Sequence, residues 1–379
     1  MFRPMRTAAA LALLAATSCS TPEPTYEPLP TVLEVAHSAG AKLGGVAIGD
    51  VLPEHDGPEI VAVCVDGRVI VVHREDGRWR SQVAFQAPGE LIQVAVGDLV
   101  PSYPGDEILA VGMAEGDEDS GGPGAVWLGV RHRDRGFEAR KIFEPGALQH
   151  AAAVGDFHPQ MRGLEAISAG FDEAVHVFTI EEDLTASRLT MFDGGDPEFD
   201  LAGPGKGACM RGTMLFVANA SGRLFGADLQ GPRGLDRPHV GIFATHTAGM
   251  ARPAISEGHV LVACDDGALV HGVVVEQRGG IVGTLWEGDS VIHREDEKLR
   301  GAAIGDFDAN RDDVDFATCG YAGRISVVQP TDDGGWNSTL LADTGAALHH
   351  LAAGDVRPDV PGDELVAVGY AGEIYVLSR

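Results

Sequence analysis

The chain has 379 residues, 44% of them apolar, enough to bury a large core, and it combines 51 glycines with an aromatic content of only 6%. Lys and Arg number 28 against 56 Asp and Glu, and the resulting formal charge of −28 sets up a field that repels nucleic acid and anionic surfaces, which excludes nucleic-acid binding. Short Val/Ile/Leu/Ala runs broken by Gly, Asp and Pro, with no long stretch of helical periodicity, predict an all-β fold.

The chain opens on a targeting pattern. Arg3 and Arg6 form a short basic region, residues 8–16 an apolar stretch too short to span a bilayer, and Ala16-Thr17-Ser18-Cys19 closes it. These residues resemble a bacterial lipoprotein signal peptide and its lipobox, with Ala16 where leucine is usual. The resemblance implies cleavage before Cys19 and diacylation of its thiol, and Ser20 resembles the pattern of lipoproteins sent to the outer membrane. Residues 1–18 are then a signal peptide and residues 19–30 a lipidated cysteine with a Pro-rich, extended tether. The expected location is the bacterial cell envelope, with the membrane reached through the lipid.

Residues 31–379 read as one repeat array. A Gly-Asp pair followed by Pro three residues after the Asp, Gly seven after and an acid nine after occurs at Asp50/Pro53/Gly57/Glu59, Asp98/Pro101/Gly105/Glu107, Asp156/Pro159/Gly163/Glu165 and Asp355/Pro358/Gly362/Glu364. A variant sits at Asp306/Asp315, which leaves a gap of three periods between Asp156 and Asp306. Two degenerate units fill that gap, at 214–224 and 260–269, each a strand, a glycine turn and a returning strand. In the first unit four strands are predicted, over 43–48, 60–64, 68–73 and 80–85, with Asp76-Gly77 as the last hairpin signal. A period of about 50 residues with four strands fits a β-propeller blade. The last unit stops after its third strand, and residues 31–36 supply a spare strand ahead of the first, so the ring should close by an N-terminal strand completing the last blade. The predicted fold is therefore an all-β, seven-bladed β-propeller of four-stranded blades.

The frame Gly-Asp, then Gly-x-Glu-Ile, resembles the FG-GAP/VCBS repeats of integrin α-chain-like propellers over residues 31–379. Such propellers serve adhesion, ligand binding, scaffolding and sometimes catalysis. The resemblance also implies calcium in loops of the form Asp-x-Asp-x-Asp-Gly-x-x-Asp. Only the sixth unit comes close, with Asp306, Asp308 and Asn310 at the first, third and fifth places and Asp315 one place late. Elsewhere Pro53, Pro101, Pro159 and Pro358 hold the fourth place, beside Leu52, Val100, His158 or Arg357 at the third, and these cannot surround a hard cation with oxygens. In those units the first Asp is expected to cap a turn whose shape Pro and Gly fix, with Glu starting the next strand.

Motifs for chemistry are few. The stretch from Asp117 through Ser120 to Pro123 matches a serine-protease nucleophile segment over five residues and lacks a segment for the general base, so it reads as an acidic loop. No metalloprotease, phosphate-loop or dinucleotide motif is present, and Cys64 and Cys264 read as small buried hydrophobes. More informative is the position six residues before each repeat Asp, which should face the central axis. It holds Gly44, Ile92, His150, Arg300 and His349, with His350 adjoining, and hairpin alignment of the degenerate units adds Lys206 and Arg252. A cluster of His150, Lys206, Arg252, Arg300, His349 and His350 suits a carboxylate or phosphate, or a metal through the three histidines. The functional expectation is a monomeric, non-catalytic binding or scaffold propeller for an envelope protein or saccharide partner, requiring no cofactor, with one loop that could admit calcium. The alternatives are a propeller lyase or hydrolase acting on envelope polysaccharide through the axial His/Arg set, and a calcium-dependent adhesin.

Overall fold

The computed structural model describes residues 31–117, 121–157, 162–192, 203–228, 239–275, 283–284, 291–308, 314–331 and 333–379. Cys19, Asn310 and the central residues of the acidic loop, Glu118 to Ser120, lie outside them. All regular structure among the described residues is β-strand.

A single strand, β1 (Val32–Ser38), precedes blade 1, which is β2 (Leu43–Gly49), β3 (Glu59–Cys64), β4 (Arg68–Glu75) and β5 (Arg78–Gln86). Blade 2 is β6 (Leu91–Gly97), β7 (Glu107–Met113), β8 (Gly124–His132) and β9 (Gly136–Phe143), and blade 3 is β10 (Gln149–Gly155), β11 (Glu165–Gly170), β12 (Val175–Ile180) and β13 (Ala186–Phe192). Blade 4 comprises β14 (Gly205–Arg211), β15 (Met214–Asn219), β16 (Arg223–Asp228) and β17 (His239–Thr245). In blade 5, β18 (Met250–Ser256), β19 (His259–Cys264) and β20 (Ala268–Val275) carry two short outer pieces, β21 (Gly283–Thr284) and β22 (Val291–Arg294). Blade 6 is β23 (Leu299–Gly305), β24 (Asp315–Gly320), β25 (Arg324–Pro330) and β26 (Trp336–Asp343), and blade 7 is β27 (Leu348–Gly354), β28 (Glu364–Gly369) and β29 (Glu373–Ser378).

The innermost strands β2, β6, β10, β14, β18, β23 and β27 touch in that order, and β27 returns to β2, so the seven sheets form a closed ring. The N-terminal strand does complete the last blade: β1 pairs antiparallel with β29, from Val32 opposite Ser378 to Ser38 opposite Glu373. This covers the edge of β29 and leaves no long unpaired strand in blade 7.

The second and third strands are runs such as Ile60-Val61-Ala62-Val63-Cys64 because both faces of each blade are covered by neighbouring blades. Seven apolar clusters result, one at each blade-to-blade interface, from the Val46/Ile60/Val366/Val376 set between blades 1 and 7 to the Ala317/Ile325/Leu365/Leu377 set between blades 6 and 7.

The repeat turn works differently from expectation in one respect. The backbone N–H at its third place donates not to the first Asp but to the buried acid nine residues on: Leu52 to Glu59 (2.8 Å), Val100 to Glu107 (2.7 Å), Arg357 to Glu364 (2.8 Å), and in blade 3 Phe157, one residue earlier in the turn, to Glu165 (2.8 Å). Burial pushes Glu59 and Glu364 up to about 7 and Glu107 to about 8, against the opposing pull of the backbone donors. The first Asp instead reaches sideways. The Asp106 N–H donates to the Asp50 carbonyl (2.6 Å) and the Asp50 N–H to the Asp106 carboxylate (3.0 Å), which ties blade 2 to blade 1; Asp363 and Asp306 repeat the exchange between blades 7 and 6. Gly105 is required here, since its φ is +77° and a Cβ would lie 2.6 Å from the Asp50 carbonyl oxygen.

Candidate functional site

Every innermost strand breaks register near its start. The shifts fall between Leu43 and Gly45, Leu91 and Gln93, Gln149 and Ala151, Gly205 and Gly207, Met250 and Pro253, Leu299 and Gly301, and Leu348 and His350. The extra residues are Gly44, Ile92, His150, Lys206, one of the two residues Ala251 and Arg252, Arg300 and His349. A bulge leaves its extra residue out of the ladder and re-aims its side chain, here toward the ring's axis. In blade 5 the break spans Ala251 and Arg252 opposite Ala263, one extra residue as in the other blades, and it ends at Pro253, which has no N–H to offer the ladder.

The six residues expected at this end gather in two bonded groups, Arg252 with His349 and His350, and His150 with Lys206 and Arg300, which approach each other where the His150 and His349 rings lie 6.4 Å apart. Arg252, 2% exposed, reaches across the axis from blade 5 and donates from Nη1 to the His349 carbonyl (2.8 Å) and from Nη2 to the Gly44 carbonyl (3.3 Å). His349 donates from Nδ1 to the same Gly44 oxygen (2.6 Å), and His150 from Nδ1 to the Lys206 carbonyl (3.0 Å). His350 accepts the Val46 N–H at Nδ1 (2.9 Å), while its Nε2 lies 3.3 Å from the Gln93 side-chain amide. Lys206 and Arg300 share one carboxylate, that of Asp265, at 3.1 and 2.8 Å.

Desolvation decides the charge state. Burial, aided by the Arg252 guanidinium, drives His150 down to about 3 and holds His349 and His350 well below the ordinary imidazole range. The three rings are therefore neutral at physiological pH, and the positive charge rests on Lys206, Arg252 and Arg300. Burial and the neighbouring Arg300 lower Arg252 to about 10, which leaves it a cation whose bonded oxygens are uncharged carbonyls. Of the acids among the described residues, Asp265 is the one bonded to this group, and Arg300 Nε is buried without a hydrogen-bond partner.

Asp265 was not anticipated. It follows the second strand of blade 5, and the equivalent positions, each bonded through its N–H to the residue before an innermost strand, are Val65, Met113, Phe171, Ala220, Tyr321 and Tyr370. One acid among apolar and aromatic residues was the available signal. The aromatic members form a wall beside the cations: the Tyr321 and Tyr370 hydroxyls lie 3.0 Å apart, Arg300 sits over the Tyr321 ring at 5.0 Å, and His349 stacks on Tyr370 at 5.3 Å. Phe171 and Tyr370 are 44% and 39% exposed, so this wall faces solvent.

The acids of the sixth turn are placed otherwise. Asp308 is fully buried with its carboxylate 3.4 Å from Arg379, and Asp315 is fully buried and accepts from Gln329 Nε2 (2.6 Å). The Asp306 backbone is held by Asp363, and among the described residues these three carboxylates do not converge on one point.

No family model matches the chain, and no curated protein sequence matches it. Solved structures do. The WD40 repeats of RRP9 superpose with a TM-score of 0.59 at 13% identity, covering 91% of this chain and 97% of that one. The WD40 β-propeller domain of Doa1 gives 0.56 at 12% identity, over 92% and 97%. Virginiamycin B lyase from Staphylococcus aureus gives 0.59 at 8% identity, over 92% and 99%. At these identities the likeness establishes the fold, a seven-bladed β-propeller, and nothing finer.

Proposed function

We propose that this chain is a cell-envelope lipoprotein of the FG-GAP/VCBS kind, anchored through Cys19, whose propeller is a non-catalytic binding module that takes an anion-bearing ligand, a saccharide or a protein segment, at its axial end. The observation that carries the reading is the uneven charge of that end: three cations against one bonded carboxylate, in a chain of net charge −28. An orphan donor on Arg300 beside a solvent-facing aromatic wall fits a carboxylate on a ring-shaped ligand, because the guanidinium recognises the anion and the tyrosine faces cover apolar C–H surface. The non-catalytic part rests on the histidines. A general acid or base works best with a pKa near the operating pH, and these rings are held far below it with Nδ1 already bonded.

Binding to a panel of oligosaccharides with and without uronic acids tests the ligand class. Uronate-bearing members should be retained by the wild-type protein, with at least tenfold weaker retention by Arg300→Ala; equal retention of neutral and acidic sugars removes the proposal. Radiolabelled palmitate should be incorporated in a bacterial host and lost in Cys19→Ala, and labelling that survives this change removes the anchor.

A further inference from the structure

We propose that His246, Cys264 and Asp266 bind a borderline-soft divalent metal ion, zinc foremost, where the chain leaving the last strand of blade 4 meets the second hairpin of blade 5. The imidazole nitrogen, the thiol sulfur and a carboxylate oxygen lie within 4.8 Å of one another, and His246 Nε2 is already 2.9 Å from Asp266 Oδ2. Donors around a tetrahedral zinc stand roughly 3–4 Å apart given its bond lengths, so small side-chain rotations bring the three onto one ion, with water as the fourth ligand. Sulfur, nitrogen and oxygen together select a zinc-like ion over calcium or magnesium, which take oxygen alone. Binding replaces the thiol S–H bond by a metal–thiolate bond, and the proton leaves to solvent.

The protein contains its own control for this arrangement. Cys64, Asp66 and Gly67 of blade 1 correspond to Cys264, Asp266 and Gly267 of blade 5, and both cysteines are fully buried. The residue facing them from the preceding blade is fixed by the same backbone bond, Ala39 N–H to Gly372 in one case and His246 N–H to Gly222 in the other. Blade 1 thus has alanine where blade 5 has histidine. It also has Arg68, whose guanidinium occupies Asp66 at 2.7 Å and bonds the Ala39 carbonyl, where blade 5 has Ala268. Two changes at once, one adding a ligand and one removing an internal cation, convert a salt bridge into a His/Cys/Asp set. Arg294 lies 3.3 Å from Asp266 but its side chain is 56% exposed, so it leaves the carboxylate without a buried charge being stranded.

Such an ion would join the outer strand of blade 4 to a hairpin of blade 5. Cobalt titration of the chelator-treated full-length protein tests this, since a thiolate-to-cobalt band reports the cysteine directly. Expected are a band saturating at one equivalent, its displacement by zinc, and a zinc-dependent rise in the thermal midpoint. Cys264→Ser should abolish the band, His246→Ala should weaken cobalt binding at least tenfold, and Cys64→Ser should leave both unchanged, with circular dichroism verifying that each variant folds. A band of wild-type strength in Cys264→Ser, or wild-type protein that shows none at one equivalent, overturns the assignment.

Discussion

Blades 4 and 5 close their first hairpins with two residues, Gly212-Thr213 and Glu257-Gly258, where blades 1, 2, 3, 6 and 7 use the long turn that begins at the repeat Asp. The short hairpins are self-sufficient: Glu257 and Gly258 adopt the positive φ values, 49° and 87°, that a two-residue turn demands. The long turn does more than reverse the chain. It buries an acid beneath itself and, through Asp106, Leu164 and Asp363, hands backbone bonds to the blade before it. The repeat is thus an inter-blade clamp, and the ring around blades 4 and 5 is held by other means, among them the Lys206–Asp265–Arg300 bridge and the His246–Asp266 contact.

The largest expected difference between the two kinds of blade is in pH dependence. Glu59, Glu107 and Glu364 have folded pKa values raised above the unfolded 4.5, so between that value and about 7–8 the native state holds protons the unfolded state has released. Stability therefore falls as pH rises through this window. The axial histidines act with the opposite sign, since below 6.5 the unfolded chain binds protons that the native rings refuse, and that contribution is lost on acidification. Urea midpoints should peak near pH 6 and decline toward pH 8.5, and Glu107→Gln should flatten the alkaline decline. An unchanged slope in that variant would sink the account of the turn acids.

At fixed pH, Glu107→Ala strands the Val100 N–H in a dry site and should cost about 3 kcal/mol in urea-unfolding free energy. Gly105→Ala should cost about 2 kcal/mol, because it adds a contact with the Asp50 carbonyl to the left-handed φ. Gly77 has nearly the same φ, +72°, with open space around it, so Gly77→Ala should cost about 1 kcal/mol and isolates the conformational part. Equal losses at the two glycines would mean that the approach between blades contributes nothing.

The sequence carried the long turns plainly because Asp, Pro, Gly and Glu recur at fixed offsets, and with them the ring closure through residues 31–36. It hid the reason the fourth and fifth units are degenerate, since a two-residue hairpin needs no Asp and leaves only a glycine as a trace. The axial positions were legible from their distance to Asp50, Asp156 or Asp355. Their charge was not, because the neutrality of His150 and His349 comes first from burial inside the closed ring and second from Arg252 arriving from the far side, a contact between residues about 100 apart in the chain. Asp265 escaped for the same reason: its meaning comes from Lys206 and Arg300 on two other blades.

The smallest effect concerns the clamp's side chain. Asp106→Ala removes the acceptor of the Asp50 N–H while the Asp106 N–H still reaches the Asp50 carbonyl, so one bond of the pair survives. The loss should be about 0.5–1 kcal/mol, the net worth of a single exposed hydrogen bond. Even that is partly offset, since burial and the nearby Asp50 and Asp98 carboxylates raise the Asp106 pKa, which marks its charged form as disfavoured in this place. An amide keeps the acceptor and drops the charge. Asp106→Asn should therefore match or exceed the wild-type urea midpoint, with the gain growing as pH rises and Asp106 is forced into its disfavoured charged form, whereas a loss equal to that of Asp106→Ala would show that the carboxylate's charge, and not its hydrogen bond, holds blade 2 to blade 1.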